Sequence, residues 1–443
     1  MNIQVFISRI ERLSGGIKAC NWQFSIVVIL YLLVFLILFG CQNLGTKNNN
    51  NQVTHVTLWQ GINPPVNRDV FNKLVKKFNQ NNPGIQIESI FVGEPQIPKI
   101  LTAVVGNAPP DIFLFDPQMT GKFVELGAIK SLNNWVENLP MKSEIYSNLW
   151  DELRLNDKIW SVPLYTSNIG IFYRPKLFSA AGIKETPETW EEFRQVAKKL
   201  TIDRNGDGQP EQYGIVLPLG KQEWTVFCWL PFLWSAGGEI MNNDNPNFDS
   251  PEAIAALQFW QDLLKSGYAK LSAPERGYDE SDFISGRVAM QITGPWTNIT
   301  KSDVDYDIFP IPASVRHATS TGTGSLYVMK TTPVREKAAL KFLEYILSEE
   351  FQTEWSIKTG FIPTNQKVSN SKLYQEYVSK KPGLQVFLEQ MTVARARPNM
   401  AGYSRLSDSL GRAIEAVLLG ESPQKALQMA QEQLRLIWNK NSK

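Results

Sequence analysis

Histidine and cysteine are scarce in this chain, with two of the first and three of the second among 443 residues. His55 and His317 lie far apart in sequence, which leaves little material for a histidine-built zinc site or a Ser-His-Asp triad. Cys20 and Cys41 flank an apolar run, so Cys228 is the only thiol in the body that follows and no disulfide can form within it. An excess of either charge is missing too. The 45 Lys and Arg residues nearly balance the 43 Asp and Glu residues, a formal net charge of +2, which gives no electrostatic reason to expect nucleic acid as a partner. Stability must come from packing, and a composition that is 43% hydrophobic and 11% aromatic supplies the material.

Charge is absent altogether from Asn21 to Gly40, a stretch dominated by Ile, Leu, Val and Phe and preceded by Arg9, Arg12 and Lys18. Roughly 20 apolar residues span a bilayer, and the basic flank stays in the cytoplasm, so everything after Gly40 reads as exported. The run is longer than the usual signal-peptide core, which leaves a cleaved signal peptide and a retained anchor both open. Leu38-Phe39-Gly40-Cys41 resembles the lipobox of bacterial lipoproteins, whose cysteine is acylated and becomes the mature N-terminus, although Phe39 stands where a small residue is usual. Residues 1–41 are therefore read as signal peptide or membrane anchor, with Cys41 as the lipidation site. The asparagine-rich residues 42–53 have nothing with which to build a core and read as a flexible tether. Either outcome puts the body in the periplasm or at the cell exterior, held to the membrane by its N-terminus.

About 390 residues remain, too many for one hydrophobic core and suited to two domains. The segment "HVTLWQG" alternates like a strand, Phe71, Leu74, Val75 and Phe78 fall on one helical face, and "IQIESIFV" reads as a second strand. A helix-like stretch through Ile97, Ile100, Leu101, Val104 and Val105 leads into "DIFLFD". This alternation of strand and helix indicates an α/β fold with a mostly parallel sheet covered on both faces. Four later helices are expected to start where a hydroxyl cap precedes proline, at Thr186-Pro187, Ser250-Pro251, Thr332-Pro333 and Ser422-Pro423.

The order of "VTLWQG", "NAPPDIFLFD", "IWSVPLYTSNIGIFYRPKLF", "ETPETWEEF", "DRNGDGQPEQYG", "SAGGEI", "VAMQITGPW", "LYVMKTTPVREKAALKFLEYI" and "GFIPT" resembles the family 1 extracellular solute-binding proteins of ABC importers, the maltose-binding-protein group. The resemblance implies a two-lobe type II periplasmic-binding-protein fold, with a ligand cleft between lobes joined by crossover hinges. It assigns 54–164 and 312–360 to the first lobe, and 165–311 and 361–443 to the second. It further implies a monomeric receptor without catalysis or cofactor, which carries a sugar or oligosaccharide to permease subunits.

A sugar ring offers an apolar C–H face and a polar rim, so it calls for flat aromatics with carboxylates or amides at the edge. Trp59 and Asp116 end strands, where open α/β sheets bind ligands, and Tyr165 lies at the expected crossover. Trp234 and Trp296 occupy positions where the resembled family presents aromatics to sugar, and Trp224 and Tyr403 are placed at the cleft with them. Trp190, Trp260 and Trp438 sit in helical patterns and are assigned to the core. The turn from Gly322 to Ser325 lacks the lysine of a phosphate loop but offers backbone N–H groups to a ligand oxygen.

In "DRNGDGQPE", Asp203, Asn205 and Asp207 alternate with Gly208 sixth, like the first half of an EF-hand loop. Gly214 stands twelfth where a bidentate Glu is required, so calcium would depend on Glu211; the alternative is an Asx-rich turn. Three rival functions remain open. Relatives that bind glycerol 3-phosphate use a C-terminal arginine and tyrosine, for which Arg395, Arg397, Arg405 and Tyr403 are available. An exported glycoside hydrolase would share the aromatics but needs two carboxyl groups about 5–10 Å apart. A surface adhesion module would bind another protein instead.

Overall fold

The computed structural model describes residues 53–438, apart from 94–95, 243–244, 274–278 and 401. The apolar run, Cys41 and the tether up to Gln52 lie outside the described residues, within which no helix is long and apolar enough to cross a membrane.

Two five-stranded sheets organise the body. In chain order their strands are β1 (Thr54–Gln60), β2 (Ile85–Phe91), β3 (Ile112–Phe115), β4 (Ser161–Tyr165), β5 (Gly170–Tyr173), β6 (Tyr213–Leu217), β7 (Ala269–Leu271), β8 (Val288–Thr293), β9 (Asp307–Phe309) and β10 (Gly324–Val328). The first sheet runs β2-β1-β3-β10-β4 and the second β7-β6-β8-β5-β9. Each is parallel on one side and antiparallel on the other. In the first, β1 lies parallel to β2 and β3, whereas β10 is antiparallel to β3 and β4. In the second, β6 is parallel to β7 and β8, while β5 is antiparallel to β8 and β9. The parallel parts come from strand-helix-strand units, and the antiparallel parts arise where the chain passes between lobes.

It leaves the first sheet at Tyr165 and enters the second at Gly170; it returns between Phe309 and Gly324. The return lies beyond the expected 312, because Ile311 and Ala318 pack in the second lobe's core and the N–H groups of Ser314 and Val315 donate to Ser235. A third passage runs beside the first, where Thr166 and Ile362 exchange backbone hydrogen bonds of 3.3 and 3.0 Å.

Two large cores result. In the first lobe the helix Pro65–Asn81 buries Phe71, Leu74, Val75 and Phe78, the face its spacing indicates, against Phe342 and Trp355. The second lobe is centred on the helix Glu223–Ser235, which buries every side chain from Thr225 to Ser235. Its sequence is apolar around the whole circumference, so the helix runs through an interior rather than along a surface. Trp260 is fully buried beside it and Trp190 packs against the same core, and the helices Tyr403–Leu418 and Pro423–Trp438 add Leu406, Leu410, Leu427 and Leu434.

Three of the four expected caps form, with Ser250 accepting from Ala253 N–H, Thr332 from Arg335 N–H and Ser422 from Lys425 N–H. The fourth does not. The helix starts at Trp190 rather than Pro187, because Thr189 and Glu192 make a reciprocal capping box that satisfies two backbone donors. Thr189→Ala is expected to destabilise the protein by about 1 kcal/mol in chemical denaturation, whereas Thr186→Ala leaves the midpoint unchanged.

Candidate ligand cleft

Strand register sets one edge of the first sheet toward the second lobe. Ser325 of β10 pairs with Phe115 of β3 and Gly324 with Tyr165 of β4, which brings Asp116, Thr323 and Tyr165 to a common edge. The answering edge of the second sheet holds Gly170 and Thr293, and Thr293 leads into Gly294-Pro295-Trp296. Carboxyl ends of parallel strands are where open α/β sheets hold ligands.

Arg397 ties the two edges together. Its side chain is 3% exposed; Nη1 donates to Glu223 Oε1 at 2.5 Å on the second lobe, and Nη2 to Asp116 Oδ2 at 3.1 Å on the first. The guanidinium also lies over the Phe227 ring, 4.6 Å from its centroid. Burial works against the charge, but the Glu223 and Asp116 carboxylates outweigh it and hold the guanidinium pKa above its usual value. Glu223 is shared further, accepting from Tyr403 Oη at 2.7 Å and from Ser407 Oγ.

Glu152 ends the helix Ser147–Glu152 on the first lobe, and its Oε2 accepts a 2.7 Å hydrogen bond from Thr323 Oγ1. Its Oε1 is buried with no protein partner. Burial pushes its pKa up to about 7, against the lowering influence of Thr323 and Arg397, with Asp116 adding to the rise. Other partnerless polar atoms gather nearby: Arg397 Nε, Trp224 Nε1, and Oδ1 of Asn399, whose Nδ2 donates to Glu152 O at 3.1 Å. Native proteins leave few buried polar groups unsatisfied, so these atoms are candidates for hydrogen bonds to a bound molecule.

The aromatic floor comes from both cores. Trp296 is half-buried, packs against the core clusters of both lobes, and stacks on Phe361 with centroids 5.9 Å apart. Phe361 stacks in turn on Tyr165 at 3.9 Å and on Trp355 at 5.8 Å. Trp224, also half-buried, meets Trp296 edge-on at 6.2 Å. Two glycines permit this column: a Cβ on Gly294 would come within 2.1 Å of the Trp296 ring, and one on Gly324 within 2.3 Å of the Tyr165 ring.

The residues singled out from sequence thus divide. Asp116, Trp224, Trp296 and Tyr403 meet at the cleft, but Tyr403 is 2% exposed and acts through Glu223. Tyr165 is packed beneath Gly324 and Phe361 as part of the column's support. Trp234 corrects the expectation of an exposed ring: it is 1% exposed in the second lobe's core, because the all-apolar helix that carries it has no solvent side, and Arg395 lies 5.0 Å from its ring centroid. Trp59 packs against the cluster of Ile100, Phe113, Phe123 and Tyr327. The N–H of Gly322 is taken by Ser167 O at 2.9 Å, not offered to a ligand. Trp438's side chain lies outside the described residues.

In the acidic loop, Asp203 accepts from the N–H groups of Gly206 and Gly208, Asp207 from Gln209 and Glu211 from Arg204, while Asn205 accepts from Asp207. These side chains serve an Asx-rich turn, and no group of three or more His, Cys, Asp or Glu residues is arranged for a metal among the described residues. Glu152, Glu223 and Asn399 escaped the sequence reading, since each stands in an unremarkable helix or loop stretch, and Thr323 was included only for the backbone of its turn; the one available signal for Glu223 was its neighbour Trp224.

Glu152 gives the fold a pH signature. Its folded pKa of about 7 lies above the ordinary 4.5, so the folded state holds the extra proton and stability falls as pH climbs from about 4.5 to 7. Glu152→Gln lacks that loss. Its stability relative to the unsubstituted protein is expected to rise between pH 5 and pH 8, by at most about 3 kcal/mol, in urea melts at each pH.

The profile for bacterial extracellular solute-binding proteins matches residues 73–382. An ABC transporter solute-binding protein from Thermotoga lettingae TMO, solved bound with alpha-D-tagatose, is 27% identical, with a TM-score of 0.77 over 87% of this chain and 100% of that one. The cyclic alpha-maltosyl-1,6-maltose binding protein of Arthrobacter globiformis is 26% identical, with a TM-score of 0.74 over 88% and 100%. The sn-glycerol-3-phosphate-binding periplasmic protein of Escherichia coli O1:K1 / APEC is 22% identical over 87% of this chain and 92% of its own. With 310 of its residues matched and its two lobes superimposing on such receptors, the chain belongs to the family of bacterial extracellular solute-binding proteins.

Proposed function

We propose that this protein is the receptor of an ABC importer for a carbohydrate, which it captures between its lobes and passes unchanged to permease subunits. The observation that carries this reading is the Trp224–Trp296 pair, half-exposed at the junction of the two cores and bordered by partnerless polar atoms. Flat indoles suit the C–H face of a sugar ring and the polar rim suits its hydroxyls. The tagatose bound to one solved relative and the cyclic alpha-maltosyl-1,6-maltose for which the other is named support the same class of ligand.

Selectivity would follow from the rim. A ligand hydroxyl sealed in without a partner costs about 1–3 kcal/mol, tenfold or more in affinity, while stacking tolerates many sugars. Of the arginines that suggested the glycerol 3-phosphate reading, Arg395 is paired with Glu239 at 2.7 Å and Arg397 with Glu223 and Asp116, so neither offers a phosphate an uncommitted charge. Export and tethering through Cys41 or the apolar run, a monomeric state and the absence of catalysis complete the proposal.

In a thermal-shift screen, maltose, maltotriose or D-tagatose is expected to raise the melting temperature. Trp296→Ala should weaken that binding about tenfold or more. A panel in which sn-glycerol 3-phosphate alone stabilises the protein would contradict the reading.

A further inference from the structure

The carboxylates around the cleft outnumber the cations that face them. Asp116, Glu152 and Glu223 converge on Arg397, the one guanidinium in this group. Asp116 and Glu223 divide its two terminal nitrogens, and Glu223 takes two hydroxyl donors besides. Arg395, the next cation along the chain, is committed to both oxygens of Glu239 at 2.9 and 2.7 Å. Glu152 is thus the carboxylate with an oxygen left over. The charged and titratable groups facing it are Arg397, Asp116 and Tyr327.

We propose that Glu152 sets the charge class of the ligand: its Oε1 accepts a hydrogen bond from a hydroxyl or ammonium donor on the captured molecule, and the cleft refuses anionic esters. This rests on the carbohydrate-receptor reading and narrows it. Thr323 fixes the carboxylate through Oε2, which holds its rotamer and leaves Oε1 as the oxygen without a protein partner. Thr323 belongs to the segment returning between the lobes, and its hydroxyl also lies 3.4 Å from Thr166 Oγ1 on the outgoing segment. The acceptor therefore stands at the hinge side of the cleft, where closure leaves no water to replace a missing donor. A phosphate brought to the same point would meet a carboxylate rather than an unpaired cation. At neutral pH the ligand-free group shares its proton about equally between bound and released forms, since its pKa lies near 7. A donor arriving at Oε1 favours the ionised form, so binding releases a fraction of a proton to the buffer; an anion would instead draw a proton in.

Isothermal titration calorimetry of the full chain at pH 7, in two buffers of different ionisation enthalpy, counts that proton. The probes are maltotriose, D-glucosamine and sn-glycerol 3-phosphate. We expect a donor-bearing probe to bind with proton release of up to about one half. Glu152→Gln should bind about tenfold or more weakly with no release, while Glu152→Asp keeps the release. An ammonium donor is recognised by an affinity for D-glucosamine that falls with salt, a hydroxyl donor by an affinity for maltotriose that does not. Equal affinity and equal proton exchange in the Gln variant would overturn the role of Glu152 while leaving the carbohydrate reading intact. Binding of sn-glycerol 3-phosphate alone would overturn both.

Discussion

A guanidinium buried at the junction of two lobes needs carboxylate partners to be tolerated there. Arg397, 3% exposed, finds them in Glu223 from the second lobe and Asp116 from the first. An isolated charge in such a place would cost several kcal/mol, and loss of one partner from a buried pair is more damaging than loss of the pair. The geometry around it follows from this need. Tyr403 and Ser407 at the start of a C-terminal helix fix Glu223, Phe227 supports the guanidinium plane, and the loop after β3 places Asp116 opposite. The bridge joins two bodies with separate cores.

The aromatic column complements that polar bridge. Trp296 touches both cores, and beneath it Phe361, Tyr165 and Trp355 continue a stack into the first lobe. A rigid floor of this kind loses little conformational freedom when a flat ligand settles on it, which leaves specificity to the hydrogen-bonding rim. The sides of the cleft are thus differently constituted: apolar surface given by packing, and polar groups whose partners come from opposite lobes.

How much of this was legible in the sequence depends on the range of the interaction. The helix Pro65–Asn81 and its buried face and the caps at Ser250 and Thr332 are set by neighbours a few positions away, and pattern reveals them. The antiparallel halves of the sheets were not visible, because they pair strands as distant as Phe115 and Ser325. Asp116 and Trp296 could be named from strand ends and motif order, whereas Trp234 could not be resolved: a helix apolar on all sides gives no periodicity from which to choose a face. Glu152 carried no signal at all, since its character comes from Thr323, Arg397 and Asp116, none of them near it in the chain. The start at Thr189 was missed because one hydroxyl-proline pair looked sufficient, while the reciprocal pairing of Thr189 with Glu192 satisfies more donors.

The most direct test of the bridge between lobes is a double-mutant cycle on Asp116→Asn and Arg397→Met, read as unfolding free energy in urea. Asp116 is 42% exposed, so solvent screening reduces its share. The account predicts that Asp116→Asn destabilises the native protein more than it destabilises the Arg397→Met variant, with a coupling of about 1 kcal/mol. Equal costs in the two backgrounds would mean that the two lobes do not meet through this pair, and would contradict it.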